Sequence, residues 1–395
     1  MNKCKLGDLF YIKQGYAFKS EKYVSHSNYI LCTLANFSES NNFKFSSEKA
    51  TYYPDEFSHE FILCENDLII PLTEQVVGLF GNTAFVPKTE GFQFVLNQRV
   101  GKIIPYEEKA DKLFLHYLLS TQLVRDQIEA TASGTKQRNT SPDKIYDVTV
   151  WVPNIDQQRI IGRYLYSLEQ KCNVNNKICS ELETMAKTLY DYWFVQFDFP
   201  DENGEPYRTA GGEMVWNKQL KREIPKGWNV TNIGNLTTVV TGKEDANFSS
   251  PNGKYKFFTC SQETLLCDTP AFSGQAVLIA GNGDFNVKHY SGEFNAYQRT
   301  YVLIPENQVY YGAMYISAKN QIQAFKNGSN GSIVKFITKG DVENIPFILP
   351  NDDLIFHQIN KLIEKIELCE RENEELTKLR DWLLPMLMNG QARVE

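Results

Sequence analysis

In this 395-residue chain two Gln-Arg pairs, Gln98-Arg99 and Gln298-Arg299, set an amide beside a guanidinium with a proline six residues beyond the arginine, Pro105 or Pro305. Glutamine and arginine side chains can make the two-point hydrogen bonds that read adenine and guanine edges in the major groove of DNA. A salt bridge at a strand end would use the same residues, and the sequence leaves both readings open. Polar loops recur in matching places. Gln14, Lys19 and Ser20 in the first half are echoed by Lys243 and Asp245 in the second, and Thr73, opening the stretch TEQVVGLFG, joins the candidates by its position alone. Lys136, Gln137 and Arg138, and later Asn330 and Ser332, lie in glycine-bearing runs whose amides, hydroxyls and charge suit phosphate oxygens. Asn282, Asn286 and Tyr297 complete the candidate contact set.

Residues for bond-making chemistry do not assemble. Gly281-Asn282-Gly283 lacks the third glycine and following helix that cradle a dinucleotide, and the chain has no GxxxxGK[ST] run and no acidic-Pro-Pro-aromatic loop. Pro54-Asp55-Glu56 and Pro200-Asp201-Glu202 resemble a nuclease acidic cluster, but neither is followed by the acid and lysine that would hold a metal at a scissile phosphate. Turn chemistry accounts for both. The five histidines (His26, His59, His116, His289, His357) are isolated, and each reads as a surface or satisfied core residue. The eight cysteines form no C-x-x-C pair and read as reduced, mostly buried thiols, so no metal site is expected. What is left is a binder. Its net charge of -7 counts against nucleic acid, whose affinity comes mainly from phosphate neutralisation. The acidic residues, however, gather in the last helical segment (Glu364, Glu367, Glu370, Glu372, Glu374, Glu375), while the first fifty residues and Lys136, Arg138 and Lys144 lean basic.

The elements that must position these residues are written twice. Gly134 to Pro153 (GTKQRNTSPDKIYDVTVWVP) returns with equal spacing as Gly331 to Pro350 (GSIVKFITKGDVENIPFILP), and Leu6-Gly7-Asp8-Leu9 and Gln14-Gly15 return as Ile233-Gly234-Asn235-Leu236 and Thr241-Gly242. Short runs such as Phe61-Ile62-Leu63, Asp67 to Ile70 and Val100 to Ile104 read as strands, with one helix over 110–130; the second half repeats the style at Tyr255 to Thr259, Ala276 to Ala280 and Tyr301 to Ile304, with a helix near 310–325. Two mixed α/β modules are expected, 1–153 and 227–350. Composition is that of a globular chain, and no apolar run nears the roughly 20 residues that span a bilayer, so a cytoplasmic location is expected.

After each module comes a long apolar stripe in steps of three and four. Ile161, Leu165, Leu168, Cys172, Asn175, Cys179, Leu182, Ala186, Leu189 and Trp193 form the first; Ile355, Ile359, Leu362, Ile366, Cys369, Asn373, Leu376, Arg380, Leu383 and Leu387 form the second. This spacing predicts two coiled-coil helices over 154–196 and 351–390 that pack on each other through Leu165, Leu182, Leu189, Trp193, Leu362, Ile366, Leu376 and Leu383. One asparagine falls on each stripe, a device that fixes register. The copies align with an offset of 197 at the helix starts and 190 near their ends, a difference of one heptad, which leaves the apolar face undisturbed. A helix of roughly 40 residues is about 60 Å long and can hold two modules apart. Residues 197–226 read as a polar connector.

With these residues in view, the chain resembles the specificity (S) subunits of type I restriction-modification systems. The resemblance is carried by Leu6-Gly7-Asp8-Leu9 with Gln14-Gly15, the Gly134 to Pro153 run leading into Asp156-Gln157-Gln158-Arg159-Ile160, the helix end Ala186 to Phe197, Ile224-Pro225-Lys226-Gly227-Trp228, Phe294 to Thr300, and the closing Leu379 to Gly390. It implies two target recognition domains, each reading half of a bipartite asymmetric DNA site, with two antiparallel helices as spacer. It also implies docking of two modification (M) subunits, which methylate adenine, and of restriction (R) subunits, in a defence against foreign DNA. The chain itself would be non-catalytic and hold no cofactor; S-adenosylmethionine, ATP and magnesium would belong to the partner subunits. Leu354-Ile355-Phe356-His357-Gln358 stands where the first repeat has the family-like Asp156-Gln157-Gln158-Arg159, so the entry to the second helix is less regular than the resemblance implies for M-subunit docking. The competing expectation is a scaffold or dimerisation protein that binds peptide or carbohydrate.

Overall fold

The computed structural model describes all residues except 39–41, 76–77, 135–136, 284, 328–335, 393 and 395, and except the side chains of 325–327. The chain divides into two compact units, Met1–Cys172 with Glu374–Glu395, and Asn173–Asn373.

The first unit runs through β1 (Asn2–Lys5), β2 (Phe10–Gln14), β3 (Tyr29–Cys32), β4 (Tyr52–Tyr53), β5 (Leu68–Pro71), β6 (Thr73–Glu74), β7 (Ala84–Phe85), β8 (Gln93–Leu96), β9 (Val100–Pro105), α1 (Lys112–Ser120), α2 (Gln122–Thr131), β10 (Arg138–Asn139), α3 (Pro142–Tyr146) and β11 (Thr149–Val152). One sheet has the order β2-β9-β5-β7 and a second β4-β3-β8, with β3 and β8 parallel. β5 is apolar throughout because it is buried on both faces: Leu68 and Ile70 point into one core, Ile69 into another. β1 and β11 pair antiparallel and close the module. The single helix expected over 110–130 is two, because Ser120 and Thr121 donate their hydroxyls back to the carbonyls of Tyr117 and Leu118, at 2.8 and 2.7 Å, and Thr121 turns extended. The strand expected at Phe61-Leu63 is a 3-10 turn, His59–Phe61, followed by a single bridge from Ile62 to Val95.

The second unit repeats the plan with β12 (Met214–Asn217), β13 (Arg222–Pro225), β14 (Asn229–Asn232), β15 (Val240–Thr241), β16 (Tyr255–Phe258), β17 (Leu265–Cys267), β18 (Phe272–Ala280), β19 (Val287–Ala296), β20 (Thr300–Leu303) and β21 (Pro346–Leu349). Here the long β18–β19 hairpin joins six of these strands into one sheet, β15-β20-β18-β19-β16-β17, with β16 and β19 parallel as β3 and β8 are. β18 serves two cores as β5 does, Val277 and Ile279 facing one, Ala276 and Leu278 the other. β14 pairs with β21 as β1 does with β11. The stretch read as a polar connector is folded: β12 and β13 form a hairpin, and Phe199 stacks between Tyr207 and Trp228 with ring centroids 4.7 Å away on either side.

The helices are α4 (Ile155–Tyr190), α5 (Tyr311–Asn327), α6 (Lys339–Glu343) and α7 (Leu354–Met388). α4 ends in a π turn, Asp191–Gln196, and a left-handed Phe197 with φ 62°. Arg222 closes this end, donating to the carbonyls of Phe194 (2.6 Å) and Val195 (3.3 Å) while its guanidinium lies over the Phe197 ring. In the first unit Ile161 and Leu165 of α4 share a core with Leu387 of α7, and Leu383 packs against it. In the second unit Cys179, Leu182, Leu189, Trp193 and Leu362 pack around a core that includes Ile366; Leu376, in the first unit, is half-buried. The two stripe asparagines meet: Asn175, 1% exposed, donates to Asn373 (2.9 Å) and Glu372 (2.7 Å), and Asn373 donates to Asn176 (2.8 Å). With Cys179 against the Ile366 carbonyl, the order reverses, so these two segments run antiparallel. All eight cysteines are free thiols, but only Cys32 and Cys267 are buried and Cys64 is exposed, which corrects the expectation that most are buried.

Candidate functional site

A glycine at the end of the first core strand of each module sets up the same turn. Gly15, just after β2, donates its amide to the Val100 carbonyl at 3.2 Å; Gly242, just after β15, donates to Thr300 at the same distance. A Cβ on Gly15 would lie 2.1 Å from the Asn97 carbonyl oxygen, and one on Gly242 would lie 1.8 Å from that of Ala296, so only glycine lets the two backbones meet. Opposite each stands a four-residue turn. Val100 donates to Asn97 (2.9 Å), Gln98 to Tyr16 (2.9 Å), and Leu72 to Arg99 (2.9 Å); Thr300 donates to Tyr297 (2.8 Å), Gln298 to Glu244 (2.8 Å), and Gly281 to Arg299 (2.9 Å). Every backbone group of the turn that faces the fold is thus satisfied by the fold. The Gln-Arg pair occupies the two central positions, with Gln98, Gln298 and Arg299 exposed and Arg99 half-buried. Among the described residues neither guanidinium has an ion-pair partner.

The other candidate residues divide by what their side chains already do. Gln14, Lys19 and Ser20 are exposed beside the first turn, and Lys243 and Asp245 beside the second, where Asp245 accepts the Asn247 amide at 2.8 Å. Tyr297 opens the second turn, half-buried. Asn286 donates to the Cys260 carbonyl at 2.8 Å, and Asn282 is half-buried. Thr73 is buried, its hydroxyl on Asn139 at 2.9 Å. Arg138 makes a 2.7 Å ion pair with Glu74, whose side chain is 1% exposed, and a further bond to the Glu129 carbonyl at 3.1 Å. Gln137 donates to Asn139 at 3.2 Å. Lys136, Asn330 and Ser332 lie outside the described residues.

Two features went unread in the sequence. Tyr16, 47% exposed, stands against Phe18 and Phe61 and supplies the carbonyl that holds Gln98; the glycine before it was the available signal. The second feature is a buried His-Tyr-Glu trio in each unit. In the first, Tyr117 donates to Glu169 at 2.6 Å, with His116 between Glu169 (3.8 Å) and the Thr83 hydroxyl (2.7 Å). In the second, Tyr311 donates to Glu367 at 2.5 Å with His289 at 3.3 Å from the same oxygen. Burial, with the adjoining carboxylate, pushes both phenols up, so each stays a donor. Isolation in sequence hid these histidines' partners.

Among the described residues no group of three or more His, Cys, Asp or Glu could hold a metal, and no helix is long and apolar enough to cross a membrane.

Residues 1–184 and 225–378 match the family described as the type I restriction modification DNA specificity domain. The EcoDI type I restriction enzyme specificity subunit of Escherichia coli is 34% identical over 180 residues, 44% of this chain and 40% of that protein, so the chain spans two fifths of this relative's length in the match. The MjaIX specificity subunit of Methanocaldococcus jannaschii is 23% identical over 329 residues, 76% of this chain and 73% of that one. The crystal structure of a type I restriction-modification S subunit from M. genitalium is similar in fold, with a TM-score of 0.62 over 98% of this chain and 96% of that one at 16% identity.

Proposed function

The chain belongs to the type I restriction-modification DNA specificity domain family, and from that premise we propose that it reads a two-part, asymmetric DNA site, one half through each unit's Gln-Arg turn and the loops beside it. The observation that carries this reading is the duplicated turn: the same four backbone hydrogen bonds in each unit hold up an exposed amide and a guanidinium that has no ion-pair partner among the described residues. Those side chains suit base edges, while Gln14, Lys19, Ser20 and Lys243 suit phosphates and register. In this reading α4 and α7 are the spacer that fixes the distance between half-sites, supported by their lengths of 36 and 35 residues and by the buried Asn175–Asn373 pair. Two modification subunits dock on the assembly and bring S-adenosylmethionine to methylate adenine; restriction subunits bring ATP- and magnesium-dependent cleavage. The chain contributes recognition without catalysis and works in the cytoplasm.

The test is single-molecule methylome sequencing of a host carrying this chain and its modification partner, with and without this gene. The expected result is methyl-adenine in a two-part asymmetric motif that vanishes on deletion, together with DNA binding that weakens steeply as salt rises. A methylome that does not change while the complex remains assembled would refute the proposal and favour a protein-binding scaffold.

A further inference from the structure

From the paired trios we infer that Tyr117–Glu169 with His116, and Tyr311–Glu367 with His289, are positioning latches: each fixes one angle of its recognition module on its own long helix, and so sets which spacer length the protein accepts. The inference rests on the reading that each module reads one half-site.

Chain duplication does not explain the pair. The alignment that places Gln98-Arg99 on Gln298-Arg299 puts Tyr117 on Ser317 and Tyr311 on Asp111, and the alignment of the helix starts puts Glu169 on Ile366, beside Glu367. The histidine comes from a helix in one unit (α1) and from a strand in the other (β19). The same chemistry was therefore assembled twice from different positions. Its location is also repeated: Glu169 lies 14 residues beyond the first residue of α4, and Glu367 lies 13 beyond that of α7. Even the histidine's packing is alike, edge-to-face on a tyrosine at 4.8 Å and 74° (His116–Tyr117) or 4.7 Å and 72° (His289–Tyr315).

Stability alone does not call for a carboxylate here. Desolvating it is costly, and well-packed apolar residues in such places are often as stable or more so. Apolar packing, however, has no direction, whereas one buried hydrogen bond to one oxygen has a single good geometry. Each module is already fixed where its last strand (β11 or β21) runs into its helix. The trio is a second attachment about 20 Å farther along, so a slip of about 1.5 Å there would swing the module by about 4°.

The test uses the full chain assembled with its modification partner. Substrates are DNA duplexes carrying the two half-sites at the native spacing and at one base pair more or less. The variants are Tyr117→Phe, Tyr311→Phe, and the apolar pair Tyr311→Phe with Glu367→Leu, made together with His289→Leu so that no buried partner is stranded. The apolar pair is expected to melt at or above the wild-type temperature and to methylate the native spacing, while its discrimination against altered spacing falls about tenfold. Unchanged discrimination in a folded variant would overturn the inference. So would an apolar pair that melts well below wild type, because the trio would then serve folding. Wild-type protein that methylates without any two-part motif would overturn the reading beneath it, and the inference with it.

Discussion

Arg138 separates a DNA contact from a structural ion pair, and Arg138→Ala tests which it is. The structure ties this guanidinium to Glu74 at 2.7 Å, and among the described residues Glu74 Oε1 has no other partner. Its Oε2 is occupied as well, accepting the amides of Leu79 (3.0 Å) and Phe80 (3.2 Å). Removing one partner of a buried pair costs about 3–5 kcal/mol. The arginine side chain is 26% exposed, which places the cost near the lower bound. For a unit of about 190 residues, a loss of about 3 kcal/mol lowers the melting temperature by about 6–12 °C. Glu74→Gln in the same background should recover more than half of that loss, since a glutamine oxygen still accepts both amides and no charge is stranded. Arg99→Ala is the control: among the described residues its guanidinium has no ion-pair partner, so stability should stay within about 0.5 kcal/mol while one half-site relaxes. The assay is calorimetric unfolding beside DNA binding. Arg138→Ala melting within about 2 °C of wild type, with DNA binding lost, would refute the assignment.

The turns, the asparagines and one carboxylate yield further outcomes. Gly242→Ala must push the Ala296 carbonyl away, at a cost of about 1–3 kcal/mol, and should displace Gln298-Arg299; loss of amide protection at Thr300 in hydrogen exchange would report it. Asn175→Ala should cost about 1–3 kcal/mol by leaving Asn373 and Glu372 short of a donor, whereas Asn175→Leu with Asn373→Leu should restore stability while loosening helix register, read by chemical unfolding and cross-linking. Burial raises the Glu169 carboxyl, but His116, Tyr117 and Arg380 outweigh it and hold the group below its ordinary value. Its stabilising contribution is therefore present above the unfolded-state pKa and lost as pH falls through the lower folded one; the gap in melting temperature between wild type and Glu169→Gln should shrink from about pH 7 to about pH 3.

Periodicity made the long helices legible, since stripes such as Ile161, Leu165 and Ile355, Ile359 have no other use, and it placed the asparagines that pair. The Gln-Arg turns were legible because the duplication kept the dipeptide and its distance to a proline. What escaped was set by partners distant in sequence. Arg138 reads as a free cation until the fold brings Glu74 beside it, and His289 reads as solitary until Glu367 arrives from a helix 78 residues on. Local side-chain competition broke the expected helix at Thr121, where propensity over a window cannot resolve one hydroxyl bonded to a carbonyl.

Because β1 pairs with β11, and β14 with β21, each module leaves the chain's course beside the point where it joined it. Length can therefore change inside a module without moving its ends apart. Between Gly15 and Gln98 the first copy holds 27 residues more than the second does between Gly242 and Gln298, and between Arg99 and Gly134 it holds 3 more than lie between Arg299 and Gly331. Neither number is a multiple of seven. Along the helix the copies differ by 7, and a single inserted residue there would turn everything beyond it by about 100°. Drift in this chain is continuous within the strand-closed modules and quantised along the rods, so new recognition surfaces can accumulate residue by residue while the frame changes only in whole heptads.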